Sequence, residues 1–397
     1  MEYKNKIDFQ ELDLQYYIPT FKRYPLTILK GKGSLVWDSE GREYIDAMAG
    51  IAVNSVGHCH PRVVEAIQQQ AAELIHISNF YLSKPQALLS EKLVYMSGLN
   101  RVFFANSGAE ANEGAVKLAR KYAHANNRGG TIISFSGCFH GRTLATIAMG
   151  KKKMQEGFEP IPSGFRMIPF NDIEAVKTSL DDDVAAFIIE PVQGEGGTHI
   201  ADKTFMNQLR EICNKHNILL IFDEIQCGMG RTGEIFAKDH YGIQPDILTS
   251  AKALGSGVPI SAILTNEKVS QVIAYGDHGT TFGGNPLATA AALAAVNVIE
   301  NENLIAQSRE KGEWMKNHIL SRQPEKYGIK EVRGMGLMLG IEFEFETKPL
   351  VAKMLEKGIL ANATAEKVLR FVPPLNIHYD HLKKVLEVMY ESLEELN

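Results

Sequence analysis

The sequence has few cysteines and none in close spacing. Its four cysteines, Cys59, Cys138, Cys213 and Cys227, form no CxxC pair, so neither a disulfide framework nor a zinc ribbon is predicted. No run approaches about 18 apolar residues, and the first residues lack the apolar core of a signal peptide. We therefore expect reduced thiols, no membrane association and a cytoplasmic location.

An excess of charge of one sign is also missing. The net charge is −5 over 397 residues, with Lys and Arg scattered, which argues against a nucleic-acid partner. His58, Cys59 and His60 are too close together, without a second cluster, to form a closed metal site, so no metal is expected. The sequence has neither a Walker A motif nor a GxGxxG dinucleotide motif. A small-molecule ligand is the remaining expectation.

Apolar residues make up 45% of the chain, enough for a large core. Short alternating runs at 24–50 predict a small antiparallel sheet. From residue 61, helical stretches alternate with apolar strands, namely RVFFA, TIISF, AAFIIE, LLIFDE, DILTSA and SAILT. This alternation predicts an α/β fold with a mostly parallel central sheet and helices on both faces. A helical run at 286–320, four short strands and a closing helix predict an α+β unit. We predict an N-terminal segment at 1–60, a large domain at 61–295 and a small domain at 296–397.

Ligands of parallel sheets bind at the carboxyl ends of the strands. Ser107, Gly108 and Ala109 follow the strand RVFFA and begin a helix, where backbone amides favour a phosphate. Taken alone, an ordinary strand-to-helix turn is the more frequent explanation. Asp223 ends the strand LLIFD, and a buried carboxylate there needs a cation or a donor. A salt bridge or a magnesium site would satisfy the same requirement.

Lys252 follows the next strand, where burial would lower its pKa and make it a nucleophile. Most lysines are surface groups, so the order of the three sites carries the argument. Pyridoxal phosphate needs a phosphate site, a partner for its ring nitrogen and a lysine for its aldehyde. Phe139 and Arg142 follow a further strand and are suited to stack on a ring and to bind a carboxylate, although Arg142 also fits a surface ion pair.

Six segments in order resemble the class III aminotransferases of fold type I. They are NSGAEANEGAVKLAR, FHGRTL, EPVQGEGG, IFDEIQCGMGRTG, TSAKALGSGVP and HGTTFGGNPLA. Within that class, GIAVNSVGHCHP, LIHISNFYLSKPQ, EVRGMGLMLGIEF and LRFVPPL are most similar to the acetylornithine aminotransferases. The resemblance covers nearly the whole chain. It implies pyridoxal phosphate as cofactor, a small domain built from both ends of the chain, and a homodimer with active sites at the subunit interface.

The resemblance also implies roles for individual residues at the cofactor. Lys252 would bind the cofactor aldehyde covalently and move the proton during transfer. Asp223 would keep the ring nitrogen protonated, Gln226 would face the phenolic oxygen, and Phe139 would stack on the ring. The phosphate would be bound by Ser107, Gly108 and Ala109, with Thr281, and Thr280 beside it, reaching over from the partner subunit.

Substrate residues follow from the same resemblance. Arg142 would hold the α-carboxylate of a substrate that reacts through its terminal amine. Arg370 would bind the α-carboxylate of glutamate, and Glu195 would pair with Arg370 until glutamate enters; a permanent internal salt bridge is the alternative. Ile51 stands where ornithine aminotransferases have a tyrosine that binds a free α-amine, so an acylated amine is favoured.

The segment containing Phe80 and Tyr81 is expected to shape the substrate pocket, but it departs from the family's usual text, which leaves the acyl group open. The expected reaction moves the terminal amino group of N-acetylornithine, or a similar N-acylated basic amino acid, to 2-oxoglutarate. The products are a semialdehyde and glutamate, in arginine or lysine biosynthesis. Alternatives are an ornithine or 4-aminobutyrate type aminotransferase and a non-catalytic binding protein of the same fold.

Overall fold

The apolar strands of the sequence form the centre of the fold. The computed structural model describes residues 8–396, so the first seven residues of the predicted N-terminal segment lie outside the described residues. The strands are Ile28–Lys32 (β1), Leu35–Asp38 (β2), Glu43–Asp46 (β3), Arg101–Ala105 (β4), Thr131–Phe135 (β5), Phe165–Ile168 (β6), Val184–Ile189 (β7), Val192–Gln193 (β8), His199–Ile200 (β9), Leu219–Asp223 (β10), Ile247–Ser250 (β11), Ser261–Thr265 (β12), Ile329–Met335 (β13), Met338–Phe343 (β14), Ile359–Leu360 (β15), Asn362–Thr364 (β16) and Val368–Phe371 (β17).

Helices cover the sheets and connect most of the strands. The α-helices are Phe9–Tyr16 (α1), Ala49–Ala52 (α2), Pro61–Glu73 (α3), Lys84–Ser97 (α4), Gly108–Ala125 (α5), Leu144–Ala148 (α6), Ile173–Thr178 (α7), Lys203–His216 (α8), Glu267–Ser270 (α9), Pro286–Asn301 (α10), Leu304–Leu320 (α11), Lys348–Glu356 (α12) and Tyr379–Leu396 (α13). Short 3₁₀ turns lie at Lys152–Met154, Ala237–His240, Lys252–Leu254 and Pro324–Tyr327. Within residues 8–396, no helix is both long and apolar enough to cross a membrane.

The central sheet has seven strands in the order β4-β12-β11-β10-β7-β5-β6. Strands β6, β5, β7, β10 and β11 run parallel, which confirms the predicted mostly parallel sheet. Strand β12 is antiparallel to both of its neighbours. Only residues 251–260 connect β11 to β12, and a parallel crossover needs about a dozen residues or more. The short connection therefore makes β12 turn back, and Lys252 lies at the start of that connection.

Two smaller sheets join the two ends of the chain. Strands β1, β2 and β3 form the predicted antiparallel sheet, and β15 from the C-terminal region adds to it parallel to β3. Strands β13, β14, β17 and β16 form a separate antiparallel sheet. The described part of the N-terminal segment and the C-terminal region thus share a sheet. The boundaries at residues 60 and 295 stay a prediction.

The short helix Ala49–Ala52 is left-handed, because all four of its residues have φ values between 49° and 66°. The amide of Ala52 donates to the carbonyl of Met48 at 2.9 Å, and Asp46 Oδ1 accepts the amides of Met48 and Ala49 at 2.9 and 2.8 Å. A left-handed conformation costs roughly 1–2 kcal/mol for each residue that is not glycine. The hydrogen bonds of Asp46 help to offset that cost, which the sequence pattern did not reveal.

Arg231 joins the three parts of the chain from a fully buried position. Its Nη1 donates to the carbonyl oxygens of Leu337 at 3.0 Å and Pro373 at 2.5 Å, and its Nη2 donates to Ser55 Oγ at 3.0 Å. No carboxylate in the described part of the chain forms an ion pair with it, and burial lowers its pKa to about 9. The guanidinium is therefore held by neutral acceptors from the N-terminal and C-terminal regions.

We predict that Arg231→Met destabilises the fold by about 3 kcal/mol, because three buried acceptors lose their donor at once. The matched control is Arg309→Met, which removes a half-exposed arginine paired with Glu234 and should cost no more than about 1 kcal/mol. Urea denaturation followed by circular dichroism measures both midpoints. Equal midpoints for the two variants would contradict the assigned role of Arg231.

Candidate active site

A cavity of about 440 Å³ opens at the carboxyl ends of the central strands. Such a position is where ligands of parallel sheets bind. Eight of the residues singled out in the sequence line this cavity, from four separate segments of the chain. They are Ser107, Gly108, Ala109, Phe139, Arg142, Asp223, Gln226 and Lys252.

The turn before α5 presents free backbone amides at one end of the cavity. Ser107 caps the helix, because its hydroxyl accepts the amide of Glu110 at 3.2 Å. The Glu110 carboxylate in turn accepts the Ser107 amide at 3.0 Å. The amides of Gly108 and Ala109 have no acceptor in the described structure. The turn therefore offers an anion two unpaired amides at a positive helix terminus, not the three that the sequence predicted.

Asp223 lies at the end of β10 with 3% of its surface exposed. Its Oδ2 accepts hydrogen bonds from Asn112 Nδ2 and from His140 Nδ1, both at 2.7 Å, and its Oδ1 accepts the amide of Ile225 at 3.1 Å. Asn112 is itself held by the hydroxyl of Thr249, which donates to its Oδ1 at 2.9 Å. The carboxylate is therefore fixed in direction by donors from three segments of the chain.

The adjacent acid, Glu224, serves a different purpose. Its carboxylate accepts the amides of Ala237 at 2.5 Å and Lys238 at 2.8 Å, at the start of the 3₁₀ turn Ala237–His240. Burial raises its pKa to about 8. Glu224 does not line the cavity, so of the two paired acids only Asp223 belongs to the site.

Lys252 follows β11 with a φ of 42°, in the left-handed region that residues with a side chain seldom adopt. Its side chain is half-buried in the cavity wall, and its amine has no hydrogen-bond partner among residues 8–396. Burial lowers the pKa of the amine; Arg370 adds to that effect, whereas Glu195 and Asp223 oppose it. An unpaired amine with a lowered pKa is suited to attack a carbonyl carbon.

Arg370 and Glu195 form an ion pair next to the cavity. Arg370 Nη1 donates to Glu195 Oε1 at 2.6 Å and to Gln226 Oε1 at 3.0 Å, and its Nη2 donates to Asn362 Oδ1 at 2.7 Å. Arg370 is fully buried, whereas the side chain of Glu195 is 34% exposed. Burial alone would raise the pKa of Glu195, but Arg370 lowers it below its usual value. Glu195 is thus the more accessible partner of the pair.

Arg142 is exposed at the cavity and pairs with no acid in the described part of the chain. Its Cζ lies 5.4 Å from the centre of the Phe139 ring. Between them, Gly141 has a φ of 141°, and a methyl group added there would lie 2.8 Å from Ala109 Cβ and from Thr146 Oγ1. The glycine lets the loop that carries Phe139 and Arg142 pack closely against the turn before α5.

Two predicted substrate segments do not line the cavity. Ile51 is half-buried within the left-handed turn, and Val53, two residues later, lines the cavity instead. Phe80 and Tyr81 lie on the surface with 93% and 64% of their area exposed. Ile51, Phe80 and Tyr81, like Glu195 and Arg370, are therefore not among the residues that line the cavity of this single chain.

The predicted phosphate ligands from the partner subunit also lie outside the chain's own cavity. Thr281 is exposed, and Thr280 Oγ1 accepts a hydrogen bond from Asn106 Nδ2 at 3.2 Å. Asn106 directly precedes Ser107, so Thr280 lies close to the turn before α5 of its own chain. The contact of Thr280 and Thr281 with a phosphate in the partner subunit stays a prediction.

Sequence reasoning missed three polar residues of the site. Asn112 and Glu190 were not singled out, and His140 was left without a role. Glu190 follows the strand β7 directly, so the strand-end argument that identified Asp223 applies to it equally. Asn112 lies among the buried residues of α5. A polar residue on the buried face of an amphipathic helix was the available signal.

Comparison with known proteins agrees with this geometry. The family model Aminotransferase class-III matches residues 17–393. The chain belongs to this family. The acetylornithine aminotransferase of Methanocaldococcus jannaschii is 54% identical over the full length of both chains. That of Caldanaerobacter subterraneus subsp. tengcongensis is 46% identical over 96% of this chain and 98% of its own.

Two solved structures are also similar over nearly the whole chain. The ornithine aminotransferase from Toxoplasma gondii, with partial occupancy of PLP at its active site, has a TM-score of 0.94 and 36% identity, covering 99% of this chain and 95% of its own. The acetylornithine aminotransferase from Elizabethkingia anophelis has a TM-score of 0.87 and 34% identity, covering 98% of both chains. These likenesses confirm the predicted fold class.

The cofactor of this class-III aminotransferase is pyridoxal phosphate. The residues present fit it. Two free amides suit its phosphate, the buried carboxylate of Asp223 suits a protonated ring nitrogen, and the unpaired amine of Lys252 suits its aldehyde. All three line the same cavity.

We predict that Lys252→Ala abolishes covalent attachment of pyridoxal phosphate, because no other amine lines the cavity formed by the described residues. After incubation with the cofactor and reduction with borohydride, mass spectrometry should find the cofactor on the wild-type chain and not on the variant. Lys238→Ala, which removes a nearly buried lysine outside the cavity, should retain attachment. Attachment at another lysine in Lys252→Ala would refute the assignment.

Proposed function

We propose that the protein is a pyridoxal-phosphate-dependent aminotransferase for N-acetylornithine or a similar N-acylated basic amino acid. It transfers the terminal amino group to 2-oxoglutarate and gives a semialdehyde and glutamate, in arginine biosynthesis. The observation that carries the proposal is the presence of two arginines in different states, Arg142 in the cavity wall without an acidic partner, and Arg370 beside the cavity, paired with Glu195 and bonded to the lining residue Gln226. Relatives named acetylornithine aminotransferase, 43–54% identical to this chain, support the substrate.

When bound, pyridoxal phosphate supplies an electron-accepting ring and a carbon that receives the amino group. Lys252 holds the cofactor through its amine and carries the proton that moves during transfer. Its lowered pKa favours the neutral form of the amine, which can accept that proton. Asp223 provides a fixed negative charge for the ring nitrogen, because Asn112 and His140 hold its carboxylate in place.

Arg142 binds the carboxylate of the amino donor. It is exposed at the cavity mouth and has no internal partner to displace, so a substrate carboxylate can form two parallel hydrogen bonds with its guanidinium. A substrate held there by its α-carboxylate directs its distal amine towards Lys252. That arrangement favours a donor that reacts through its terminal amine.

Arg370 binds the second substrate, glutamate or 2-oxoglutarate. While Glu195 pairs with it, the charge of Arg370 is neutralised, which suits a donor that has no carboxylate at that end. The partly exposed Glu195 can move away, whereas Arg370 is held by Gln226 and Asn362. The pair thus lets one cavity accept two substrates of different charge, where a permanent salt bridge would accept only one.

An ornithine or 4-aminobutyrate type reaction is the second candidate, supported by the TM-score of 0.94 to an ornithine aminotransferase. Val53 in the cavity wall is apolar, as is Ile51 two residues before it, which favours an acylated amine over a charged one. The acyl group is broader than acetyl in one relative, an acetylornithine/succinyldiaminopimelate aminotransferase from Photorhabdus laumondii that is 44% identical. The presence of Lys252 and Asp223 argues against a non-catalytic binding protein.

We further propose that the protein acts as a cytoplasmic homodimer. The exposed run Phe80, Tyr81 and Leu82 has between 64% and 100% of each residue's surface exposed, and a second copy that covers it would bring these residues into a protected position. Thr281 is exposed and available to a partner's phosphate site. The four cysteines are free thiols, as a reducing compartment would keep them.

The substrate is tested by following the visible absorption of the bound cofactor while one amino donor is added at a time. N-acetylornithine and glutamate should each discharge the band. Ornithine and 4-aminobutyrate at equal concentration should do so at least about tenfold more slowly. Ornithine brings a charged α-amine to the pocket, and 4-aminobutyrate leaves the space for the acylated amine empty. A faster reaction with ornithine or 4-aminobutyrate would move the function to the second candidate.

The two arginines give a matched pair of variants. Arg142→Gln should lower kcat/KM for N-acetylornithine by about 100-fold, the size expected for a lost charge-assisted bidentate contact, with a smaller effect on glutamate. Arg370→Gln should lower kcat/KM for glutamate more than kcat/KM for N-acetylornithine. Single-turnover kinetics of each half-reaction measure both effects, and equal losses in both halves would refute the separate roles.

A further inference from the structure

Glu190 is a buried acid in the wall of the cofactor cavity that takes no part in the contacts of Asp223 or Lys252. It follows β7, which pairs in parallel with β10, so it lies at the same edge of the sheet as Asp223. Only 6% of its surface is exposed. No Lys, Arg or His in the described part of the chain lies within salt-bridge distance of its carboxylate. An unpaired buried carboxylate is costly to a fold, so its presence in this wall calls for a physical reason.

The contacts of Glu190 connect it to the ring-stacking residue. Its Oε1 accepts the backbone amide of Phe139 at 2.8 Å, and its Oε2 faces the amide of Gly194 at 3.4 Å. Because both neighbours are donors, a carboxylate satisfies both, whereas a glutamine would place its own NH₂ against one of them. The carboxylate thus fixes the backbone at the point where the Phe139 side chain enters the cavity.

Four titratable groups influence Glu190 from neighbouring segments, namely His140, Asp223, Cys227 and Lys252. Burial raises the pKa of Glu190 to about 7, with Asp223 adding to the rise and His140 and Lys252 opposing it. The two backbone amides that it accepts stabilise its charged form, so Glu190 can place a negative charge in the cavity wall. This charge acts on the Lys252 side of the cofactor site in addition to that of Asp223.

We propose that Glu190 is a positioning residue for the cofactor, whose carboxylate holds Phe139 through its amide and places a second acidic group beside Asp223 and Lys252. This inference rests on the proposed function, because it requires pyridoxal phosphate in the cavity. It deepens that function by giving the cavity two carboxyl groups with separate tasks. Asp223 serves the ring nitrogen, and Glu190 serves the ring-stacking residue and the charge balance at the lysine.

The test compares Glu190→Gln with Glu224→Gln. Glu224 is an equally buried acid that also accepts two amides but lies outside the cavity, so it is the matched control. Two properties of the substrate-free protein are measured, the affinity for pyridoxal phosphate and the pH midpoint at which the visible band of the bound cofactor titrates. Urea denaturation of each variant measures the accompanying change in stability.

We expect Glu190→Gln to weaken cofactor affinity about tenfold and to lower the pH midpoint by about one unit. The midpoint falls because removing a nearby negative charge disfavours the protonated form of the lysine-bound cofactor. Glu224→Gln should lose stability and leave the midpoint unchanged. Glu190→Asp keeps the charge but shortens the side chain, so it should retain the midpoint while still weakening affinity.

Unchanged affinity and midpoint in Glu190→Gln would overturn the proposal and leave Glu190 a loop anchor. If Glu190→Gln fails to fold, Glu190→Asp decides: wild-type affinity in that variant refutes the contact with Phe139, and a lowered midpoint refutes the charge effect. If the wild-type protein itself shows no cofactor band, the proposed function fails and the role of Glu190 fails with it. If the wild-type protein shows a normal cofactor band and Glu190→Gln is unchanged, only the proposed role of Glu190 fails and the proposed function stands.

Discussion

The buried carboxylate of Asp223 is the constraint on which the site depends. A charge with so little exposed surface must be paired, and here the pairing comes from Asn112 on α5, from His140 after β5 and from the backbone just after β10. These donors tie α5, which begins at the turn with the two free amides, to the end of β10. The spacing between those amides and the Asp223 carboxylate is therefore set by the core of the fold.

The sheet was predictable because its strands are short apolar runs between helices, and β4, β5, β7, β10, β11 and β12 lie where the sequence pattern placed them. The pattern did not give the direction of β12, since direction depends on the length of the connection and on where it packs. The pattern also missed β6, whose residues are only partly buried, so the apolar signal is weak. The positive φ values of Ala49 and Ile51 leave no mark on the apolar pattern, and the hydrogen bonds at this turn come from the Asp46 side chain and from neighbouring backbone groups.

The place of a site residue was predictable where it lies at the end of a strand, as Asp223 and Lys252 do, and both line the cavity. It was less predictable where a residue acts through another. Asn112 donates to Asp223 from within α5. The Glu110 carboxylate accepts the Ser107 amide, so two amides of the turn, not three, remain available to an anion. The predicted pocket role of Phe80 is a third case. Phe80 lies on the surface of the single chain, so no contact within that chain supports a place for it in the substrate pocket.

The guanidinium of Arg231 bears on how the chain can be divided. Its acceptors are Ser55, before the predicted boundary at residue 60, and Leu337 and Pro373, after that at 295. A fragment limited to the large domain would retain the buried arginine and lose all three acceptors. Such a fragment would expose to water both this arginine and the core residues that now pack against the N-terminal and C-terminal regions. The cofactor-binding portion is therefore not built to fold as an independent module.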